Sequence, residues 1–114
     1  MRFSYAESMC DPSQYVPLAI AAEEAGERRG DVVAQAEYTY ANVLKVVEAA
    51  GGGPENLVKT IEYVTPAALE RYREVGKSRS KLLSEPYPAS TGIICEALLR
   101  PEMLIEVDPL AVLD

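Results

Sequence analysis

Glu106 and Asp108 stand two positions apart in MLIEVDPLAVL, a run that reads as a β-strand, so both carboxylates project from one strand face alongside Leu104. Paired carboxylates on one face can orient a water or exchange a proton with it, although spacing alone favours a solvated edge of a sheet. The chain contains no histidine. Its absence removes the usual acid and base of neutral pH and the commonest metal ligand, so Ser-His-Asp, Cys-His and His-Glu-x-x-His arrangements cannot be built. Any catalysis must use carboxylates, Lys, Arg, Tyr, hydroxyls, thiols or backbone groups.

The remaining chemical signals are weaker. Cys95 is a possible nucleophile, but its neighbours Ile93, Ile94 and Ala97 are apolar and suit a buried, inert thiol. Cys10 and Cys95 are the only cysteines and form no Cys-x-x-Cys pair, which fits reduced thiols better than a disulfide framework or a zinc site. Gly76-Lys77-Ser78 imitates the end of a phosphate-binding loop, yet Arg71 occupies the position of its first glycine and the tripeptide falls inside a helical pattern. Tyr87, in a proline-rich loop ahead of a strand, is the tyrosine best placed to line a cleft.

These residues must be held by a small set of elements. Residues 31–50 place Val33, Ala36, Tyr40, Val43, Leu44 and Val47 on one helical face, with Asp31 as N-cap and Gly51-Gly52-Gly53-Pro54 as the stop. Residues 57–65, LVKTIEYVT, predict a strand. Thr65-Pro66 then opens a second helix, with a hydroxyl cap and Leu69, Tyr72, Val75, Leu82 and Leu83 on its buried side, ending before Glu85-Pro86-Tyr87-Pro88. Two β-like runs, STGIICEALL and MLIEVDPLAVL, predict a C-terminal strand pair. MRFSYAE reads as an opening strand, while residues 9–29 fit either a helix carrying Pro17 in its first turn or a hairpin strand with Pro17 at an edge.

The pattern is α+β, with two helices over one face of a mixed sheet. Apolar residues at both parities of the strands (Ile61 and Val64; Ile93 and Ile94; Leu104, Ile105 and Val107) give the other face something to bury, and self-association follows as the expectation. The 114 residues form one domain, 1–114, with an atypical segment at 1–29. Eleven basic against eighteen acidic residues leave a net charge of −7, which disfavours nucleic acid and anionic membrane as partners. No long apolar run or secretory leader pattern is present, so a cytoplasmic location is expected.

The segments GDVVAQAEYTYANVLKVVEAAG, ENLVKTIEYVT, EPYPAST and LLRPEMLIEVDPLAVL, in that order from Gly30 to Val112, resemble the Rid family, also called YjgF. The resemblance implies a homotrimer with a chorismate-mutase-like fold, clefts for a small-molecule ligand at the subunit interfaces, and no cofactor or metal. Active deaminases of that family carry Pro-Ala-Arg-Ser after the second helix. Their arginine grips a substrate carboxylate while an enamine or imine is hydrolysed to a ketone and ammonia. The matching residues here are Pro88, Ala89, Ser90 and Thr91, so Ser90 stands at the arginine position. A family asparagine falls on Gly76, and the glutamate that positions water falls on Glu106. Losing the bidentate contact removes about 1.5–3 kcal/mol of recognition unless Arg100 or a neighbouring subunit substitutes.

The resemblance thus implies Glu106 and Ser90 as the catalytic pair, with Tyr87, Thr91, Cys95 and Arg100 as substrate-binding residues. A non-catalytic trimeric binding module that has lost the deaminase arginine is the alternative. The first 26 residues look instead like the opening strand and helix of luciferase-like flavin-dependent monooxygenases, whose barrel needs far more chain than is present, so no flavin chemistry is inherited.

Overall fold

The structure is a computed structural model that describes residues 30–113 and the backbone of a two-residue strand, β1 (Arg2–Phe3). Helix α1 (Val32–Ala49) begins where the sequence predicts: Asp31 Oδ1 accepts from Val33 N at 3.0 Å and Ala34 N at 3.1 Å, satisfying two of the amides that a helix start leaves unpaired. It stops at Gly51, whose φ of 92° lies in the left-handed region that glycine enters without a steric penalty. The buried face consists of Val32, Ala36, Tyr40, Val43 and Val47, while Val33 and Leu44 are half-buried.

Strand β2 (Leu57–Val64) turns Thr60, Glu62 and Val64 toward the helices and Ile61 and Tyr63 to the other side, as strand alternation requires. Val32, Ala36, Tyr40, Val43 and Val47 form one core with Leu57, Val64, Ile105, Val107 and Ala111. Each fully buried aliphatic side chain of Val or Leu size contributes about 1.5–3 kcal/mol to holding α1 on the sheet.

The second helix is shorter than the sequence predicts. After Pro66 the chain makes two 3₁₀ turns, Pro66–Ala68 and Tyr72–Glu74, and α2 covers only Val75–Leu82. Hydrogen bonds of the three-residue type (Leu69 N to Pro66 O, Arg71 N to Ala68 O, Glu74 N to Arg71 O) take over the stretch, and Arg71, at φ −110° and ψ 4°, is outside helical geometry. Thr65 makes no side-chain cap, and Leu69 is exposed rather than buried, whereas Val75 and Leu83 are buried as expected.

Strands β3 (Ala89–Ile94) and β4 (Ile105–Leu113) complete a mixed sheet of order β1-β4-β2-β3. They are not the pair that their adjacency in sequence predicts. β2 lies between them, parallel to β3 (Glu62 opposite Gly92) and antiparallel to β4 (Glu62 opposite Val107). The stretch between Ile94 and Ile105 is too long for a tight hairpin loop and lets the chain cross to the far side of β2. Gln35 of α1 fixes that crossing, donating from Nε2 to Glu102 O at 3.0 Å and accepting from Leu104 N at 2.8 Å. β1 pairs with the end of β4, Arg2 opposite Leu113, in keeping with an opening strand. The choice between hairpin and helix for residues 9–29, and Cys10, lie outside the described residues. Among the described residues no helix is long and apolar enough to cross a membrane.

Candidate functional site

Glu62 projects from the middle strand straight into the helix layer and has no exposed surface. A buried carboxylate is costly unless its lone pairs are met. Here the phenol of Tyr40 on α1 donates to Oε2, the phenol of Tyr72 donates to Oε1 at 2.6 Å, and Arg79 Nε of α2 stands 3.6 Å from Oε2. Burial, and then the adjoining carboxylate, raise both phenols above the ordinary tyrosine range; Tyr72 is pushed up to about 12. The Thr60 hydroxyl and Arg79 pull Tyr40 the other way, although Thr60 Oγ1 stands outside hydrogen-bond geometry with every described partner.

Arg79 links this buried cluster to the surface. Its Nη1 donates to Ser90 Oγ at 3.1 Å. Above the guanidinium opens a cleft of about 150 Å³, lined by Thr60, Gly76, Arg79, Leu83, Tyr87 and Ser90 among others. Tyr87 and Ser90, two of the residues that the sequence points to, therefore meet in one cleft. Gly76-Lys77-Ser78 lies within α2, and Ser78 donates to Glu37 Oε1 at 3.2 Å, so the phosphate-loop likeness has no strand-to-helix turn to act from.

The other named residues sit elsewhere on the same sheet. Glu106 pairs across the ladder with Tyr63, and Asp108 with Ile61, on the face turned away from the helices, together with Thr91 and Ile93 of β3. Glu106 and Asp108 do share a face, and both are half-buried. Burial and then the Asp108 charge push the Glu106 carboxyl above the usual carboxylate range. Cys95 follows β3 at the end away from Ser90; it is half-buried rather than enclosed, with its thiol 3.6 Å from Val64 O. Arg100 lines a separate hollow of about 350 Å³ with Thr65, Glu96 and Met103. Within one chain the helix-side cleft and the Glu106 face are thus divided by the sheet. Among the described residues no cluster of three or more acidic, cysteine or histidine side chains is placed to hold a metal ion.

Glu62, Tyr40, Tyr72, Thr60 and Arg79 were not singled out by sequence reasoning as a site. A signal for them exists. Thr60, Glu62 and Val64 alternate on the strand face that must meet the helices, and a charged residue at such a position demands donors from those helices. Tyr40 and Tyr72 fall on the helical faces that the periodicity marks as buried.

Comparison with known proteins agrees with this architecture. The family model described as Endoribonuclease L-PSP matches residues 14–113. The chain belongs to that family, which also goes under the names YjgF and RidA. Among solved structures, a protein of unknown function from Pseudomonas aeruginosa is 35% identical with a TM-score of 0.74, the match covering 85% of this chain and 70% of that one. RidA from an Antarctic Psychrobacter species is 30% identical with a TM-score of 0.65, covering 71% of this chain and 63% of that one. A Thermotoga maritima protein named as an endoribonuclease is 22% identical with a TM-score of 0.65, covering 73% of this chain and 63% of its own length, and shares the fold. The chain thus spans less than two thirds of the length of the Psychrobacter and Thermotoga proteins.

Proposed function

We propose that the chain assembles as a homotrimer of the chorismate-mutase-like type and hydrolyses small imines or enamines to a ketone and ammonia at seams between copies. The observation that carries this reading is the placement of Glu106. It is a half-buried acid on a sheet face that bears Ile61, Tyr63 and Ile93 and that no described element covers. A second copy laid on that face would exclude water around Glu106 and supply the wall that a single chain lacks.

In this reading Glu106 orients a water and takes its proton as the oxygen adds to the imine carbon. Glu106 returns that proton to the nitrogen, and the resulting carbinolamine expels ammonia as its C–N bond breaks and its hydroxyl proton passes to the leaving nitrogen, which leaves the ketone. Since the sheet divides the two faces within one chain, Ser90 and Tyr87 hold the remainder of the substrate from a different copy than the one that supplies Glu106, with Thr91 at the seam, and Cys95 and Arg100 line its outer part. The excess of acidic charge and the lack of histidine favour a small molecule over an RNA substrate, despite the family's name. The proposed setting is the cytoplasm, with no membrane partner.

The test is to generate 2-aminoacrylate in situ and follow ammonia release. Release above the buffer rate that falls at least about a hundredfold in Glu106→Gln supports the reading. Release no faster than buffer in the unmodified chain removes it. Ser90 in place of an arginine motivates the second reading, a trimeric binding module without catalysis. In that case Ser90→Arg either restores hydrolysis, showing a cleft intact but for one side chain, or stays inert and leaves the module as the conclusion.

A further inference from the structure

The carboxyl ends of the two parallel strands, β2 and β3, lead into the hollow of about 350 Å³, which shares no lining residue with the cleft beside Ser90. It lies where the chain leaves β3 and crosses β2 to begin β4, so the segments around Thr65, Glu96 and Met103 part there. A crevice beyond the carboxyl ends of parallel strands, at a change of direction in the strand order, is a common place for a ligand.

One buried polar atom points to an occupant. Thr65 lines the hollow and is 8% exposed, and its Oγ1 has no hydrogen-bond partner among the described residues. A hydroxyl at such a position ordinarily accepts from an amide of the helical turn that follows. Here Ala68 N donates to the Thr65 backbone carbonyl at 3.0 Å instead, and the hydroxyl makes no cap. A buried hydroxyl left in this state costs stability, and a polar atom supplied from the hollow removes that cost.

The rest of the lining narrows the chemistry. Pro66, Leu98, Pro101 and Leu104 provide apolar walls, and Met103 adds a thioether, a group that packs well against aromatic rings. The charged residues of the lining, Glu96 and Arg100, have opposite signs, so a net charge on the ligand gains nothing from the pair. The volume falls at the small end of ligand pockets. A flat, uncharged molecule of one or two rings with a single polar hydrogen meets all of these conditions.

We propose that this hollow binds a small neutral aromatic molecule bearing one N–H or O–H group, with the Thr65 hydroxyl as its hydrogen-bond partner. The site shares only Arg100 with the seam of the imine-hydrolase reading and does not rest on that reading, since binding here requires no hydrolysis. Thr65 then sets the preference for a ring with a polar hydrogen over the same ring without one.

Indole is the probe, and 1-methylindole is the analogue that lacks the N–H. The chain contains no tryptophan, so indole emission excited beyond the tyrosine band reports the ligand alone in a titration of the full chain. The expected result is saturable indole binding, with 1-methylindole weaker by about three- to tenfold. Thr65→Val should weaken indole by a similar factor and leave 1-methylindole within about twofold, a cycle that separates the hydrogen bond from the bulk of the added methyl. Thr65→Ser, which keeps the hydroxyl, should retain the preference for indole. Thr65→Val keeps the side-chain shape and breaks no hydrogen bond among the described residues, so its folding is not in question. Equal binding of indole and 1-methylindole, indole binding in Thr65→Val within about twofold of the unmodified chain, or no saturable binding overturns the proposal. Ammonia release tests the hydrolase separately, so either reading can fail while the other stands.

Discussion

The Tyr72 phenol reaches Glu62 Oε1 at 2.6 Å by passing over Gly92, the residue paired with Glu62 on the neighbouring strand. A Cβ on Gly92 would stand 2.9 Å from Tyr72 Oη, closer than non-bonded atoms tolerate. Gly92→Ala is therefore expected to push the hydroxyl off the carboxylate and lower stability by about 1–2 kcal/mol, despite the better strand propensity of alanine. Urea unfolding checks this. In a Tyr72→Phe background the same substitution should cost distinctly less, because the hydrogen bond it breaks is already gone.

Tyr40 gives the larger effect. It is fully buried and donates to a charged acceptor, so Tyr40→Phe is expected to cost about 2–3 kcal/mol in the same assay.

The two phenols also set the alkaline limit of the fold. Both are raised above the unfolded tyrosine value, so their contribution is complete below about pH 10 and is lost as pH rises through the folded values, about 12 for Tyr72. Absorbance titration should show Tyr40 and Tyr72 ionising above the ordinary tyrosine range, together with loss of structure. Tyr72→Phe should flatten the fall in stability between about pH 10 and pH 12.

Glu106 follows the same rule in the acid range. Its carboxyl is raised in the folded chain, so the stability tied to its protonated form is present below the ordinary glutamate value and lost as pH rises through the folded one. Glu106→Gln should therefore gain melting temperature relative to the unmodified chain on going from about pH 4 to pH 7. An unchanged difference between the two melting curves across that range contradicts the assignment.

Asp31 caps α1 through two backbone amides and also meets Arg71 Nη1 at 3.1 Å. Asp31→Ala should cost about 1 kcal/mol through the lost cap. Arg71→Ala should cost much less, since that ion pair is exposed and solvent screens it. Thermal melts of the two variants separate cap from ion pair.

How far these features could be read from the sequence follows from their range along the chain. The start and stop of α1 are written in Asp31 and Gly51, and β2 in its β-branched run, because caps, glycine turns and strand preferences act within a few residues. The break of the second helix at Arg71 was not legible; its cause is the 3₁₀ geometry that carries Tyr72 toward Glu62, a partner on a different element. The separation of β3 from β4 was hidden for the same reason, since the crossing is held by upstream groups, the Gln35 side chain and the Thr65 amide, which donates to Leu104 O at 3.0 Å. Among the candidate residues, Tyr87, singled out by its proline-rich loop, and Ser90, singled out by the resemblance, meet in one cleft, whereas Glu106 stands on the other face of the sheet. Arg79 and Thr60 were not legible, because an arginine in a helix and a threonine in a strand acquire meaning only when the sheet brings them together.

The position of β2 between two strands that follow it in the chain has a consequence for synthesis. As the polypeptide leaves the ribosome, this segment emerges with α1 already available to shield one side, but with both borders vacant until residues 89–94 and then 105–113 are made. Glu62 enters the nascent core before Tyr72 and Arg79 exist to meet it, with Tyr40 as its sole early companion among those three. β4, nine residues long and the last of the four strands in chain order, is thus the one that closes the sheet, and ribosome-bound chains halted ahead of Ile105 should be far more open to protease than chains that carry it.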